Sequence, residues 1–309
     1  MRRVISAQWI TLAAHLAAML FGLVGLLLVM PNTEFIESLS ELGLQIFALG
    51  MQGGGAVFMI LGAISISLYG WHTLGAKRLF AFLIPSVFLS LGSELLGTST
   101  GFPFGGYSYL SGLGTKIAGL VPFTIPLSWF YMGLACFLIA NTTLRFGNHW
   151  MQRVEAIALG AMMLTSWDFV LDPAMSQAAF PFWEWHQPGA FFGMPLQNFA
   201  GWMGTGALFM TVASLLWGKD NQPVLNRKQL VFPVIMYIGN FVFATILSCG
   251  ASIYPPIFLG LLLGVAPVLG MWFSAAKEED TIPSLALESL NTSSIALPKS
   301  SQPEVAARR

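Results

Sequence analysis

The sequence predicts an all-α integral membrane protein with about eight transmembrane helices and both termini in the cytoplasm. Three observations predict it. Hydrophobic residues make up 55% of the 309 residues and charged ones only 9%, against roughly 25% charged in a soluble domain; mean hydropathy is +0.71. The apolar residues gather into runs near the ~20 residues that cross a bilayer. Finally, threading eight spans through those runs places every one of the 14 basic residues except Lys116 on the same side, as expected when Lys and Arg collect on the cytoplasmic face. The formal net charge is 0, which gives no basis for a nucleic-acid partner.

Taken in order, the expected spans are residues 10–30, 54–70, 79–96, 124–140, 154–171, 199–217, 230–247 and 257–273. Arg2 and Arg3 before the first run resemble a signal peptide. The run is about twice the length of a signal-peptide core and ends in Leu-Val-Met-Pro without a small-residue cleavage site, so a retained helix is expected. Residues 42–50 and 117–123 are apolar but short, which suits an interfacial or re-entrant position. Three consecutive glycines, Gly53 to Gly55, imply a break or a very close backbone contact. The basic clusters Lys77/Arg78, Arg145/Arg153 and Lys219/Arg227/Lys228 then mark the cytoplasmic turns. Residues 1–275 form the membrane domain, and the Ser- and Pro-rich residues 276–309 read as a disordered cytoplasmic tail. There is no internal repeat. Cys136 and Cys249 both lie in apolar runs and do not suggest a disulfide framework.

The same arrangement sorts the acids. Glu94 falls at the outer end of the third span, and Asp168 and Asp172 at the outer end of the fifth. Asp168 and Asp172 are four apart and project together if the helix reaches Asp172; Pro173 is expected to end it there. An acid inside a span costs roughly 2.5–3.5 kcal/mol on insertion scales and is a functional candidate by default. A carboxyl group removed from water tends to keep its proton near neutral pH, and alkene protonation requires such a group. The bland alternative is structural, with Glu94 and Asp168 bonded to loop backbone or to Lys116.

Two outer loops accompany these acids. The first, TSTGFPFGGYSYLSGLGTK, is rich in glycine and reads as a tight lid over the helix ends, with Tyr107 and Tyr109 on one side if extended. It is not a phosphate-binding loop, because its order of Gly, Lys and Thr is wrong. The tyrosines donate hydrogen bonds or sit in the aromatic belt, and the belt is favoured for Tyr109. The second loop carries Trp183, Glu184, Trp185 and His186, followed by Asn198 and Trp202 at the start of the sixth span. Interfacial Trp is common. Alternatively, an aromatic face stabilises a cation by roughly 0.5–2 kcal/mol. No His cluster has metal-ligand spacing, so no metal is expected. Asp168 and Asp172 also form a D-x-x-x-D pair of the kind that holds Mg²⁺ on a prenyl diphosphate. That reading fails because such a site needs more carboxylates plus cations for the diphosphate and this face offers only Lys116, while prenyl diphosphates are cytoplasmic.

Glu94 followed by GFPFGGYSYLSGLGTK, VPFTIPLSWFYMG, WDFVLDPAM, WEW and GMPLQNFAGW resembles the membrane carotenoid hydratases of CruF type, also called carotenoid biosynthesis proteins. The resemblance runs from about Glu94 to Trp202. It implies a cofactor-independent enzyme of a bacterial cytoplasmic or thylakoid membrane that adds water to the terminal double bond of an acyclic end group. The substrate would be a lipophilic carotenoid of γ-carotene or lycopene type, the product a tertiary alcohol, and the partners the lipid bilayer and other carotenoid enzymes. The family supplies no residue roles to carry over, so the roles rest on chemistry. Asp168 is assigned as proton donor, with Asp172 or Glu94 tuning it or orienting water. Tyr107, Tyr109, Trp183, Glu184, Trp185, His186, Asn198 and Trp202 are candidates for the end-group pocket. Two alternatives stand beside this reading. A cyclase would begin with the same protonation but capture the cation with an internal alkene. A carotenoid or lipid carrier would need no acid.

Overall fold

The structure is a computed structural model and describes residues 2–143, 148–178, 180–218 and 222–276. Arg145, Lys219 and the tail from residue 277 lie outside the described residues. Among the described residues, eight helices are long and apolar enough to cross a membrane. Helix α1 (Arg2–Val24) continues through a π-helical turn, Gly25–Val29. A short α2 (Thr33–Ser38) leads into α3 (Glu41–Leu74) and α4 (Ala76–Thr100). Strand β1 (Tyr107–Tyr109) and the small hairpin β2 (Lys116–Ile117) and β3 (Val121–Pro122) follow. Then come α5 (Thr124–Thr143), α6 (His149–Gln177), strand β4 (Trp183–Trp185), α7 (Leu196–Trp217) and α8 (Arg227–Gly250). The last span joins α9 (Pro255–Gly260), a second π-helical turn Leu261–Val265, and α10 (Ala266–Ser274).

All eight expected spans are present, and three details refine the sequence reading. Residues 42–50 belong to α3, a single helix of 34 residues, rather than a separate interfacial piece. The helix runs unbroken through Gly53 to Gly55. Of the two readings of that triplet, close contact is correct, because a Cβ on Gly55 would lie 2.5 Å from the carbonyl oxygen of Gly112. Third, α6 does not stop at Pro173 but continues to Gln177. Proline removes only one backbone donor, a defect that membrane helices tolerate when neighbouring polar groups compensate. Here the carbonyl that loses its partner is that of Phe169, and beside it Ser248 Oγ of α8 donates to the carbonyl of Val170 at 2.6 Å, holding the same turn. The segment 117–123 forms the β2–β3 hairpin.

The caps are local and readable. Asn148 Oδ1 accepts from the backbone N–H groups of Trp150 and Met151 to start α6. Asn226 and Gln229 exchange side-chain and backbone bonds in a reciprocal box that starts α8. A single residue, Gly75 at φ 82°, turns the chain from α3 into α4. Helix α5 is the axis of the bundle: every residue from Ser128 to Ala140 is buried, and α5 packs against α3, α4, α6, α7, α8 and α10. The outer surface of the spans is apolar, with Ile10, Leu28, Phe88 and Phe258 all exposed.

Candidate active site

Strands β1 and β4 pair antiparallel over one end of the bundle, with Tyr107 opposite Trp185, Ser108 opposite Glu184 and Tyr109 opposite Trp183. Successive strand residues point to opposite faces. Tyr107, Tyr109, Trp183 and Trp185 therefore face the helices, while Ser108 and Glu184 face out. The ribbon is a lid, and it is pinned by its neighbours. Phe104 of the preceding turn seats against glycines of two helices, since a Cβ on either Gly97 of α4 or Gly201 of α7 would collide with its ring. Lys116 Nζ donates to the carbonyl of Tyr109 at 2.5 Å and so ties the lid rather than pairing with an acid.

Beneath the lid is a cavity of about 50 Å³. Glu94, Tyr107, Tyr109, Asp168, Asp172, Trp183, Trp185, Asn198 and Trp202 all line it, so the structure brings together nine of the eleven residues singled out by sequence. The other two lie elsewhere. Glu184 is exposed on the outer side of the ribbon. His186 is exposed too, with its Nε2 2.8 Å from Ser108 Oγ, and borders a polar surface basin with Thr98, Gly106 and Gln197. Tyr109 is buried and bonded to an acid rather than belonging to an interfacial belt.

The three carboxyl groups are 1% (Asp168), 3% (Glu94) and 4% (Asp172) exposed, so their partners are protein groups. Glu94 accepts from Trp129 Nε1 at 2.9 Å on Oε1, and on Oε2 from Tyr109 Oη at 2.9 Å and from Tyr107 Oη. Asp172 accepts on Oδ1 from Trp183 Nε1 at 2.8 Å and Trp185 Nε1 at 3.3 Å. Its Oδ2 accepts from Asn198 Nδ2 at 2.9 Å, and the same nitrogen donates to Asp168 Oδ2 at 2.8 Å. Asp168 Oδ1 accepts no hydrogen bond among the described residues. Each strand of the lid thus binds one acid: tyrosines from β1 hold Glu94, and tryptophans from β4 hold Asp172. Burial and then the adjacent Glu94 carboxyl push the Tyr107 and Tyr109 phenols well above their ordinary range.

Aromatic rings form the rest of the wall. Trp129 and Trp202 stack with centroids 3.9 Å apart, and Trp167 meets Trp202 edge-on at 5.9 Å. Sequence reasoning missed Trp129 and Trp167. In sequence both fall near the outer ends of their expected spans, where an aromatic belt also places Trp, so position gave no signal. It also missed the floor. Asn240 of α8 accepts from Tyr131 Oη at 3.2 Å, and its Nδ2 lies 3.0 Å from Nε2 of the buried His15. The other His15 nitrogen, Nδ1, is 2.7 Å from the carbonyl of Phe58. With Asn240 as donor, the His15 proton is assigned to Nδ1, which donates to Phe58. This chain of bonds ties α1, α3, α5 and α8 beneath the cavity. Among the described residues no group of three or more His, Cys, Asp or Glu is placed to hold a metal ion. Every hydrogen bond to the carboxyl groups of Glu94 and Asp172 comes from a donor, so both are held as acceptors.

The profile of a family described as "Carotenoid biosynthesis protein" matches residues 54–267, from α3 to the start of α10. A protein of Haloarcula japonica named bisanhydrobacterioruberin hydratase is 34% identical over 141 residues, which cover 45% of this chain and 46% of that protein. The chain therefore aligns with less than half the length of that relative. No solved structure matches.

Proposed function

The chain belongs to the carotenoid biosynthesis protein family, and from that premise we propose that it hydrates the terminal double bond of an acyclic carotenoid end group of γ-carotene or lycopene type. The relative's name gives hydration as its reaction. One observation carries the assignment of roles. Of the six carboxyl oxygens in the cavity, Asp168 Oδ1 alone receives no donor, so it can present a proton to a ligand. Asp168 is the general acid.

The steps balance without a redox partner. The π pair of the trisubstituted end-group alkene takes the proton of Asp168, forming a C–H bond at the less substituted carbon. A tertiary cation remains at its neighbour. Water attacks that carbon through an oxygen lone pair, and the proton it sheds returns to the carboxylate, which restores Asp168. Charge appears only during the reaction, so groups fixed around it act mainly on the transition state. Trp129, Trp167 and Trp202 present ring faces and edges to the cavity, and an aromatic face over a cation contributes about 0.5–2 kcal/mol. Asn198 holds Asp168 and Asp172 in one frame by donating to both. Asp172 orients the incoming water and accepts part of the positive charge.

Orientation follows from the turns. Lys77, Arg78, Arg153, Arg227 and Lys228 belong to the end of the bundle opposite the lid, and Lys116 to the lid end. The lid accordingly faces away from the cytoplasm, with the polar basin beside His186 as the nearest source of water. The bilayer supplies and receives the pigment, and other carotenoid enzymes in the same membrane are the exchange partners for a substrate that does not enter water. Expression in a host that accumulates lycopene or γ-carotene tests the reading by pigment mass. A product heavier by one water per processed end supports hydration. An isomer of unchanged mass indicates a cyclase, and pigment bound but unaltered indicates a carrier.

A further inference from the structure

Beside the site cavity lies a second, larger space of about 260 Å³ between the end of α1, its π-helical turn, α2 and the first half of α3. No charged residue lines it. Three residues, Phe58, Met175 and Phe243, line both spaces, so the two share a wall. All three are buried. The far rim is different: Phe21, Val24, Phe35 and Ile46 are exposed on the apolar flank of the spans, where a bilayer would lie. The space therefore runs from the membrane side of the molecule to the wall of the acid-lined cavity.

Its lining is shaped for an occupant. At Gly22 of α1 and Gly54 of α3, a Cβ would meet nothing within 4 Å, so both helices leave room in front of the glycine. Glycine in a helix interior costs roughly 0.5–1 kcal/mol relative to alanine, and packing against a neighbouring helix does not account for it at these two positions. The contrast within the same helix is informative: Gly55, next in sequence, is in tight contact with Gly112. Unlike Gly55, the open glycines keep a slot free. The π-helical turn Gly25–Val29 also lines the slot, a departure from α-geometry of the kind that recurs where a helix serves a site.

We propose that this slot is the lateral entrance and resting place of the substrate's polyene chain, with the end group passing Phe58, Met175 and Phe243 to reach Asp168. The proposal rests on the hydratase reading for the identity of the chain. The site cavity alone is too small and too polar at its lid for a long hydrocarbon, and the outer side of the lid borders a polar basin rather than lipid. A linear apolar chain with one reactive end fits two connected spaces, one apolar and open to the bilayer, the other holding the acids. A phospholipid acyl chain would fill the slot equally well by polarity. It would have no reason to meet a gate leading to three buried carboxyl groups.

The test uses the intact protein purified in mild detergent from a carotenoid-accumulating host, with Gly22→Leu, Gly54→Leu, Asp168→Asn and, as a control, Gly270→Leu. Gly270 is an open glycine of α10 outside the slot, with nothing within 4 Å of its Cβ position. Retained pigment per protein, pigment conversion and thermal unfolding are measured for each. Gly22→Leu and Gly54→Leu should unfold like the parent but retain and convert less pigment by about tenfold, the order expected when extra methylenes are forced into occupied space. Gly270→Leu should match the parent, and Asp168→Asn should keep its pigment without converting it. If the two slot variants retain and convert pigment like the parent, the proposal is wrong. It is also wrong if they lose only copurifying phospholipid. If the parent binds pigment in a manner sensitive to the slot variants but converts none, the hydratase reading fails and the slot assignment stands.

Discussion

Replacing Asp168 with Asn separates chemistry from architecture more cleanly than any other single change. The carboxyl makes one hydrogen bond, accepted on Oδ2 from Asn198 Nδ2 at 2.8 Å. In Asp168→Asn the amide oxygen can take that place and keep the bond, and the new NH₂ group takes the place of Oδ1, which has no donor to oppose it. The substitution is isosteric, so the cost to folding should stay within about 1 kcal/mol, the range of a single exchanged hydrogen bond. The cost to catalysis should be far larger. A positioned general acid contributes typically 10²–10⁴-fold, or about 3–5 kcal/mol at 1.36 kcal/mol per tenfold, and an amide cannot supply the proton. The assay is time-resolved conversion by purified protein at equal pigment occupancy, with thermal unfolding as the folding control. Conversion within threefold of the parent by a folded, pigment-bound Asp168→Asn protein would refute the assignment.

The other two acids should behave differently, because their partners do. In Asp172→Asn, either amide orientation sets an NH₂ against Trp183 and Trp185 or against Asn198; a loss of roughly 1–3 kcal/mol of stability is expected, read by thermal unfolding and by faster proteolysis of the lid. Glu94→Gln should be milder, since the hydroxyls of Tyr107 and Tyr109 can turn to accept from the new amide. Glu94→Ala leaves the Trp129, Tyr107 and Tyr109 donors buried without an acceptor and should cost about 1–3 kcal/mol for each. The Tyr107 and Tyr109 phenols, raised by burial and by Glu94, should remain un-ionised at pH 10, where a free phenol is half ionised. Their raised values mean that the folded state holds its protons more tightly, so their contribution to stability is intact below pH 10 and lost above it. Phenolate absorbance titrated alongside unfolding, with Tyr107→Phe and Tyr109→Phe for assignment, checks both statements.

Much of the site was legible because membrane burial makes charge conspicuous. Glu94, Asp168 and Asp172 stand out in a chain with so few ionisable residues, and the alternation of basic turns puts them at one end of the bundle. The pairing of the two loops was not legible. Sequence set Tyr107 and Tyr109 on one side of an extended segment, but nothing local says that Trp183–Trp185 is its partner strand. The period-two alternation that turns Glu184 outward follows only once that pairing is known. Trp129, Asn240 and His15 escaped notice because a lone polar or amphipathic residue in a span looks the same whether it packs or serves a site. Pro173 was misread for a related reason: the breaker rule holds for an isolated helix, while here the turn before the proline is packed in the bundle and tied to α8 through Ser248. The glycine triplet gave the right alternative without choosing it, since a contact with Gly112 depends on long-range packing.

The central claim is that a buried carboxyl proton and a water molecule are added across one end-group double bond. Conversion in water enriched with the heavy oxygen isotope tests it most directly. The account predicts that each processed end gains one labelled hydroxyl on its tertiary carbon, and that Asp168→Asn yields almost none. A product that forms at full rate without the label, or an isomer that gains no oxygen, would contradict it.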